Sequence, residues 1–410
     1  MRPAGRALGH PERVPTVSAV VVPSRHLGLA NAVEHERVIA GGASGQAPAF
    51  RGRIPSLDGL RAISIALVLT SHTFMGAEAP NSSWRYVFSV LGNGNLGVQV
   101  FFIISGFLIS TLLLDEIARC GRIDLKTFYI RRSFRIFPAY YTFLAVVGLL
   151  AATHHLDVRP RDFLHAGTFT WIYNYTNWNW YLSHTWSLSV EEQFYLLWPA
   201  ALLIFGRRNG VWIAIALIIT VPLARGGFVV TTRGALHRLC AVVSAGRFDT
   251  LMFGCLTALL WRSPRFHQAI SSGRFSVLTA ASFMATVLAA SLASLYPDSM
   301  NVPVAVMTKD TIVGFGVALT MIWLITRPSS LAGRVLNWRP LVVVGTLSYS
   351  LYLWQQLFLT PNPNSVIQQL PLNLLCVVLT ACASFYLVER PCQRLRLRLS
   401  RDPATAKLGI

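Results

Sequence analysis

Long apolar runs separated by short basic connections dominate this sequence. A helix needs about 20 residues to cross the roughly 30 Å hydrocarbon core of a bilayer. Only helices and closed barrels satisfy every backbone hydrogen bond in lipid. The sequence therefore predicts an all-α integral membrane protein with about ten transmembrane helices. The ten predicted spans are 57–76, 96–114, 136–153, 191–206, 210–225, 248–262, 275–295, 311–326, 341–359 and 370–388.

The charge of the chain agrees with this interpretation and predicts an orientation. Lys and Arg number 36 against 17 Asp and Glu, a formal net charge of +19. Such an excess often indicates nucleic-acid binding, but 53% of the residues are hydrophobic and only 13% are charged. Of the cations, 27 fall on the termini and on the connections after even-numbered spans, and 8 on the opposite connections. We therefore expect both termini to be cytoplasmic and expect no nucleic acid partner.

Three regions follow from the same patterns. Residues 1–53 are rich in Ala, Gly, Pro and Arg, and we predict a disordered basic cytoplasmic tail. Residues 54–390 form the predicted transmembrane domain. Residues 391–410 form a second basic cytoplasmic tail, whose arginines are expected to meet anionic membrane lipids. Six cysteines lack any metal-binding spacing, so no metal site is predicted.

Placing an ionisable side chain within an apolar span costs free energy, so such a residue usually has a function. In the first span, Arg61 and His72 are eleven residues apart, so a helix would place both on one face, about 16 Å apart along its axis. Asp58 precedes Arg61 by three residues and can pair with it. Arg61 suits an anionic ligand, and His72 suits proton transfer near neutral pH. The alternatives are a structural pair for Asp58 and a headgroup position for His72.

The connection after the second span carries Arg132 and Arg135, which are three residues apart. On a helix both guanidinium groups would face one anion, and their forked donors match phosphate oxygens. The alternative is a basic cluster that only orients the protein and meets lipid headgroups.

Adjacent carboxylates, Glu191 and Glu192, open the fourth span. With Ser189 as a helix N-cap, Glu192 would complete a capping box, which leaves Glu191 freer for a role in a site. The preceding segment, 171–181, is dense in aromatic and amide side chains. It is either an interfacial aromatic belt or a platform on which a sugar stacks.

Taken together, these segments resemble acyltransferase family 3, a family of bacterial membrane proteins. The resemblance covers roughly residues 54–392 and follows the order of the family's motifs. The residues that carry it are Leu57–Ile63 with His72, Gly97–Ile109, Tyr129–Arg132 through Tyr140 and Tyr141, Trp186–Leu188 through Trp198 and Pro199, Ser348–Trp354, and Glu389–Pro391.

The resemblance implies transfer of an acyl group, often acetyl, from cytoplasmic acyl-CoA to a hydroxyl. The acceptor would be a carbohydrate or glycoside, such as a surface polysaccharide or a lipid-linked glycan. It also implies the bacterial cytoplasmic membrane as the location, acyl-CoA as the donor substrate, and no permanently bound cofactor. The family's Arg-x10-His, Arg-x-x-Arg and Trp-Ser-Leu-x-x-Glu patterns match Arg61 with His72, Arg132 with Arg135, and Trp186 through Glu191.

On this hypothesis nine residues have roles. The catalytic residues are His72 as general base, Glu191, which would orient either His72 or the acceptor, and Asp58, which can pair with Arg61. The donor is held by Arg61, Arg132 and Arg135. The substrate contacts are Trp186, Tyr195 and Ser105, with Ser105 and Tyr195 as hydroxyl donors to the tetrahedral intermediate.

Two departures from the family pattern stand out. Many members have Asp where this chain has Gln99, and many have His where this chain has Gln355. The first substitution removes a carboxylate from the second span. The second leaves His72 as the main candidate base.

Two other functions fit parts of the sequence. A proton-coupled secondary transporter would use His72 and Glu191 as a proton relay, although matching broken-helix signals in two halves are not evident. A membrane glycosyltransferase would need acidic residues in the first outer loop, where Glu78 is the lone acid.

Overall fold

The computed structural model describes residues 53–75, 87, 91–174, 179–231, 234–296, 302–361, 363 and 365–399. All regular elements within these ranges are helices. Glu78, the central part of the aromatic segment at 175–178, and residues 1–52 and 400–410 of the two tails lie outside the described residues. Predictions for them therefore stay predictions.

The predicted spans all lie on helices. The principal helices are α1 (Leu57–Thr73), α2 (Gly94–Cys120), α3 (Leu125–Ala152), α4 (Thr185–Val230), α5 (Gly234–Gly246), α6 (Phe248–Trp261), α7 (Gly273–Leu295), α8 (Pro303–Thr326), α9 (Arg339–Phe358), α10 (Leu372–Ser384) and α11 (Arg390–Leu399). Shorter helices are Pro160–Gly167, Trp171–Tyr173, Trp180–Ser183, Pro264–Ser271, Leu331–Leu336, Val366–Gln368 and the π-helix Phe385–Glu389.

Several of these helices are long and apolar enough to cross a membrane. Six meet that requirement within the described ranges, or seven when α5 and α6, which meet at an angle of 47°, are counted as one broken span. The chain is therefore a multi-pass membrane protein. The count of ten and the cytoplasmic placement of both termini remain predictions.

The chain turns back on itself within α4. Gly206 has φ 72° and ψ 176°, a conformation that glycine adopts without steric cost. A Cβ built on Gly210 would lie 2.7 Å from Cδ2 of Leu202. In a straight helix, residues eight apart are about 12 Å apart along the axis. The segments before and after Gly206 therefore form a tight hairpin, which explains how the fourth and fifth predicted spans share one helical element.

Close backbone contact joins α2 and α6. A Cβ on Gly106 would meet the carbonyl oxygen of Leu251, and a Cβ on Gly254 would meet the carbonyl oxygen of Ile103. Small residues at facing positions let membrane helices approach until their backbones touch. This packing holds the part of α2 that carries Ser105 against the rest of the bundle.

A buried network of charges links α2, α4, α6 and α8. Arg225 lies 3.2 Å from Asp249 and 3.3 Å from Asp310, and Arg247 lies 3.8 Å from Asp310. Nε2 of Gln99 donates to Asp310 over 2.7 Å. Buried charges are tolerated when they are paired in this way. The amide of Gln99 thus joins the network through Asp310.

Helix α3 begins with a side-chain cap. Asp124 accepts hydrogen bonds from the backbone amide of Thr127 at 3.0 Å and from its hydroxyl at 2.6 Å. These hydrogen bonds lower the pKa of Asp124, because they stabilise its charged form. A charged residue at the N-terminus also complements the helix dipole. The cap defines where α3 starts and so places Arg132 and Arg135 two to three turns into the helix.

Candidate active site

An open cavity of about 820 Å³ lies where α1, α2, α3, α4 and α9 converge. Six of the nine residues predicted from the sequence line it, although they come from four different helices. These six are Arg61, Ser105, Arg132, Arg135, Glu191 and Tyr195. The cavity is open to its surroundings and is bounded by both polar and apolar side chains.

Three arginines give one part of the cavity an excess of positive charge. The Arg132 guanidinium lies 5.1 Å from the ring centroid of Tyr195 and 5.8 Å from that of Phe128. Among the described residues, no carboxylate lies within 4.0 Å of Arg132 or Arg135. Aromatic faces hold such a guanidinium in place without neutralising it. Its hydrogen-bond donors therefore remain available to an anion.

A hydrogen-bonded chain of side chains crosses from α4 to α2. The hydroxyl of Tyr195 donates to Oγ of Ser105 over 3.3 Å, and Ser105 donates to Oε1 of Glu191 over 2.6 Å. Both residues that flank Ser105 are on α4, one turn apart. The chain orients Glu191 toward the cavity and sets the direction of both hydroxyl hydrogens.

Glu192 also lines the cavity, and the predicted capping box is wrong. Helix α4 begins at Thr185, so Ser189 is inside the helix and donates its hydroxyl hydrogen to the carbonyl of Thr185 over 2.9 Å. Oε1 of Glu192 is buried and has no hydrogen-bond partner in the described part of the chain. The sequence predicted a helix start at Ser189, which gave Glu192 a structural role. The helix starts earlier, at Thr185, so that role does not apply.

His72 lies at the end of α1, about three helical turns from Arg61, and does not line the cavity. Its Nδ1 is 2.6 Å from Oε1 of Gln355, and its ring meets the Trp180 ring edge-on at a centroid distance of 5.3 Å. Tyr352, which does line the cavity, is three residues before Gln355 on α9 and shares its face. The helix α9 therefore connects the cavity to His72.

A buried histidine, His184, was not predicted from the sequence. Its Nε2 donates to the carbonyl of Leu353 over 3.0 Å, and its Nδ1 lies 2.5 Å from Oε1 of Gln356. The ring packs against Phe143 and Tyr352. The adjacent amides Gln355 and Gln356 could have indicated such a partner, because buried glutamines need hydrogen-bond partners. His184 anchors the start of α4 against α9.

A family model for an acyltransferase domain matches residues 54–389, most of the chain. The chain belongs to acyltransferase family 3. It is therefore a membrane acyltransferase, and membership in this family favours the enzyme over the transporter. No solved structure matches the chain significantly.

Curated relatives of this acyltransferase carry more specific names. Peptidoglycan O-acetyltransferase OatA of Listeria monocytogenes is 27% identical over 379 residues, 83% of this chain and 54% of the relative. Putative peptidoglycan O-acetyltransferase YrhL of Bacillus subtilis is 28% identical, over 82% of this chain and 54% of the relative. O-acetyltransferase OatA of Staphylococcus aureus is 28% identical, over 83% and 57%. The chain spans little more than half of the length of these relatives.

Besides His72, two of the predicted site residues of this acyltransferase lie outside the cavity lining. Asp58 binds Arg53 at 2.6 Å through Oδ2, and its Oδ1 is 3.9 Å from Arg61. Trp186 meets Phe102 edge-on at 5.9 Å and lies under the guanidinium of Arg247 at 5.6 Å. Asp58 thus lies beside Arg61 at the start of α1, and Trp186 ties α4 to the buried charge network.

The arrangement separates two kinds of chemistry within the acyltransferase. The arginines from α1 and α3 can neutralise an anion, whereas Glu191 and the hydroxyls of Ser105 and Tyr195 can form hydrogen bonds with polar groups of a substrate. His72 adds a group that can carry a proton near neutral pH. An acyl transfer that joins a charged donor to a hydroxyl acceptor needs these three capabilities.

Proposed function

We propose that this acyltransferase moves an acyl group, acetyl in the first instance, from cytoplasmic acyl-CoA to a hydroxyl of a carbohydrate-type acceptor. The observation that carries the proposal is the shared cavity, in which Arg61, Arg132 and Arg135 meet Glu191. The names of the relatives support acetyl as the acyl group and a glycan as the acceptor. The enzyme would act in the bacterial cytoplasmic membrane.

The donor end of the reaction rests on the three arginines. Acyl-CoA carries several phosphate charges, and forked guanidinium donors bind phosphate oxygens in pairs. Arg132 and Arg135 would hold the nucleotide end, because the charge bias predicts that their side of the membrane is cytoplasmic. Arg61 would hold a phosphate or the pantetheine part nearer the centre of the bundle. The pantetheine arm would then run along α1 toward His72.

The proton transfer rests on His72 and Gln355. An amide oxygen only accepts hydrogen bonds, so Oε1 of Gln355 favours the tautomer of His72 that carries its hydrogen on Nδ1. The lone pair of Nε2 then takes the proton of the acceptor hydroxyl as its oxygen attacks the thioester carbonyl. The carbon–sulfur bond breaks, and the proton passes from His72 to the thiolate, which leaves as CoA. The products are the acyl ester and free CoA.

The acceptor would be held by Glu191 and its neighbours. A carboxylate accepts hydrogen bonds from sugar hydroxyls, and the bond from Ser105 fixes where its oxygens point. Ser105 and Tyr195 line the same cavity, where the lone pairs of their hydroxyl oxygens can accept hydrogen bonds from the acceptor. Peptidoglycan strands and lipid-linked glycans are the acceptors of first choice.

The proposal is tested by acyl transfer with the purified full chain in lipid nanodiscs. The protein is incubated with radiolabelled acetyl-CoA and, in turn, with peptidoglycan strands, a lipid-linked disaccharide and soluble sugars. We expect alkali-labile label on one glycan acceptor and stoichiometric release of CoA. Solute flux in sealed vesicles that depends on a proton gradient and needs no acetyl-CoA would instead establish the transporter.

A further inference from the structure

A second cavity, of about 780 Å³, lies at the opposite end of α2 from Asn93, well away from the site described above. It forms where the end of α2 meets the Gly206 turn of α4 and the end of α6. It shares no lining residue with the first cavity. The proposed acyl transfer does not use it. The residues that matter here are Arg122, Arg207, Arg262, Leu114, Leu202 and Leu203.

Its three arginines come from three separate connections. Arg122 follows the second predicted span, Arg207 the fourth and Arg262 the sixth. All three connections belong to the side on which Lys and Arg are concentrated. The orientation of a membrane protein depends on the number of basic residues in its cytoplasmic connections, and it does not require those residues to be close together. The folding of the chain goes further, because it places one arginine from each connection at a single cavity.

The surrounding carboxylates neutralise only part of the charge of these arginines. Arg262 forms an ion pair with Asp115, whereas Nε of Arg207 donates only to the carbonyl of Leu259, over 3.3 Å. Within the described ranges, no carboxylate lies within 4.0 Å of Arg122 or Arg207. Asp124 lies farther from the cavity but interacts electrostatically with Arg122. All charged residues of the lining are arginines, and only Arg262 has a carboxylate within 4.0 Å among the described residues, so the lining carries an excess of positive charge that attracts an anion.

The rest of the cavity is apolar and continues toward the lipid-facing surface. Leu114 and Leu202 are buried in its wall, and Leu203 is 47% exposed. The next residues along the chain, Ile204 and Phe205, are 72% and 52% exposed. Side chains of this size are stable at such exposure when hydrocarbon surrounds them. The cavity thus has arginines at one end and an apolar wall beside them, and it lies near the expected membrane surface.

We propose that this cavity binds an anionic phospholipid of the cytoplasmic leaflet. Its phosphate would lie among Arg122, Arg207 and Arg262, and an acyl chain would lie along the leucine wall. Basic pockets between transmembrane helices on the cytoplasmic side are suited to such headgroups. The apolar wall favours a lipid over the phosphates of a nucleotide, which would leave the leucines uncovered. The bound lipid would brace the Gly206 turn against the ends of α2 and α6.

The experiment is native mass spectrometry of the full chain in neutral detergent, titrated with phosphatidylglycerol or phosphatidylcholine. We expect saturable binding of phosphatidylglycerol. Because a basic residue near the surface contributes about 1 kcal/mol, the Arg122→Gln/Arg207→Gln variant should bind it about 30-fold more weakly. Binding of phosphatidylcholine should not change. Arg208→Gln is the matched control, since Arg208 is adjacent in sequence but does not line the cavity.

A single variant keeps the test decisive if the double variant does not fold. Arg122→Gln changes an exposed residue in a connection, and we expect about fivefold weaker binding of phosphatidylglycerol. Equal binding by Arg122→Gln and Arg208→Gln would overturn the proposal. Displacement of the lipid by adenosine 3′,5′-bisphosphate would overturn it as well and would assign the arginines to the nucleotide of the donor.

Discussion

The hydroxyl of Ser105 on α2 donates a 2.6 Å hydrogen bond to Oε1 of Glu191 on α4. A hydrogen bond to a charged acceptor is worth about 1.5–3 kcal/mol, roughly twice an ordinary one. The residues are 86 positions apart in the chain, so packing of the two helices sets their geometry. Ser105 therefore holds the carboxylate in one orientation at the wall of the cavity.

We expect Glu191→Gln to lower kcat by about 100-fold or more, because the amide cannot replace a charged acceptor that orients the reacting groups. Ser105→Ala should lower kcat by about tenfold, since only one hydrogen bond to Glu191 is lost. Acetyl transfer in nanodiscs measures both. Glu116→Gln is the control, since Glu116 is on the same helix α2 but away from the cavity. Wild-type rates for Glu191→Gln would remove Glu191 from the reaction.

His72→Ala should abolish acetyl transfer while the protein still accumulates in membranes, because the acceptor hydroxyl then loses the base that removes its proton. Gln355→Leu should retain fold and donor binding but lose about tenfold or more in kcat, since Nδ1 of His72 loses its acceptor. Gln355→Glu restores an acceptor and should recover activity. His155→Ala, an exposed histidine outside the cavity, is the control. Full activity of His72→Ala would exclude it as the base.

Arg132→Gln with Arg135→Gln should raise KM for acetyl-CoA by about 10- to 100-fold and change kcat less, because phosphate binding is lost and the reacting groups stay in place. Steady-state rates at varied acetyl-CoA measure the effect. Arg131→Gln is the matched control, because Arg131 adjoins Arg132 but does not line the cavity. An unchanged KM in the double variant would favour a role for the two arginines at lipid headgroups.

Gly254→Ala should destabilise the folded protein by about 1–3 kcal/mol, because the added methyl group meets the backbone of α2 where it cannot yield. Gly148→Ala is the control within another long helix, since its Cβ would lie 3.8 Å from Cε1 of Phe163. That substitution should be neutral or slightly stabilising, as alanine favours helix. Melting temperature in detergent measures both. Equal melting temperatures would mean that α2 and α6 are farther apart.

Arg225→Met should destabilise the protein by about 3–5 kcal/mol, because Asp249 and Asp310 then lose a buried partner. Adding Asp249→Asn removes one of the uncompensated charges and should recover part of the loss. Thermal unfolding of both variants in the same detergent gives the comparison. Arg274→Met at the exposed start of α7 should be close to wild type. If Arg225→Met melts like Arg274→Met, the buried network does not contribute to stability.

The sequence by itself determined the helical class, the positions of the apolar segments and most of the polar residues of the cavity. Hydropathy and helical period are local properties, and membrane helices must satisfy their hydrogen bonds internally. The pairs Arg61 with His72 and Arg132 with Arg135 were predicted because each pair lies on a single helix. The motif resemblance added the expectation that separate segments belong to one site.

Only the tertiary structure decided which side chains meet. The contact of His72 with Gln355 joins residues 283 positions apart, and that of Ser105 with Glu191 joins two helices. Such contacts depend on the rotation and spacing of packed helices, which close approaches such as Gly254 against α2 define. The gathering of one arginine from each of three connections at a second cavity has the same origin. The sequence determines how many charges lie on one side of the membrane, whereas the packing of the helices determines which of those charges can bind the same ligand.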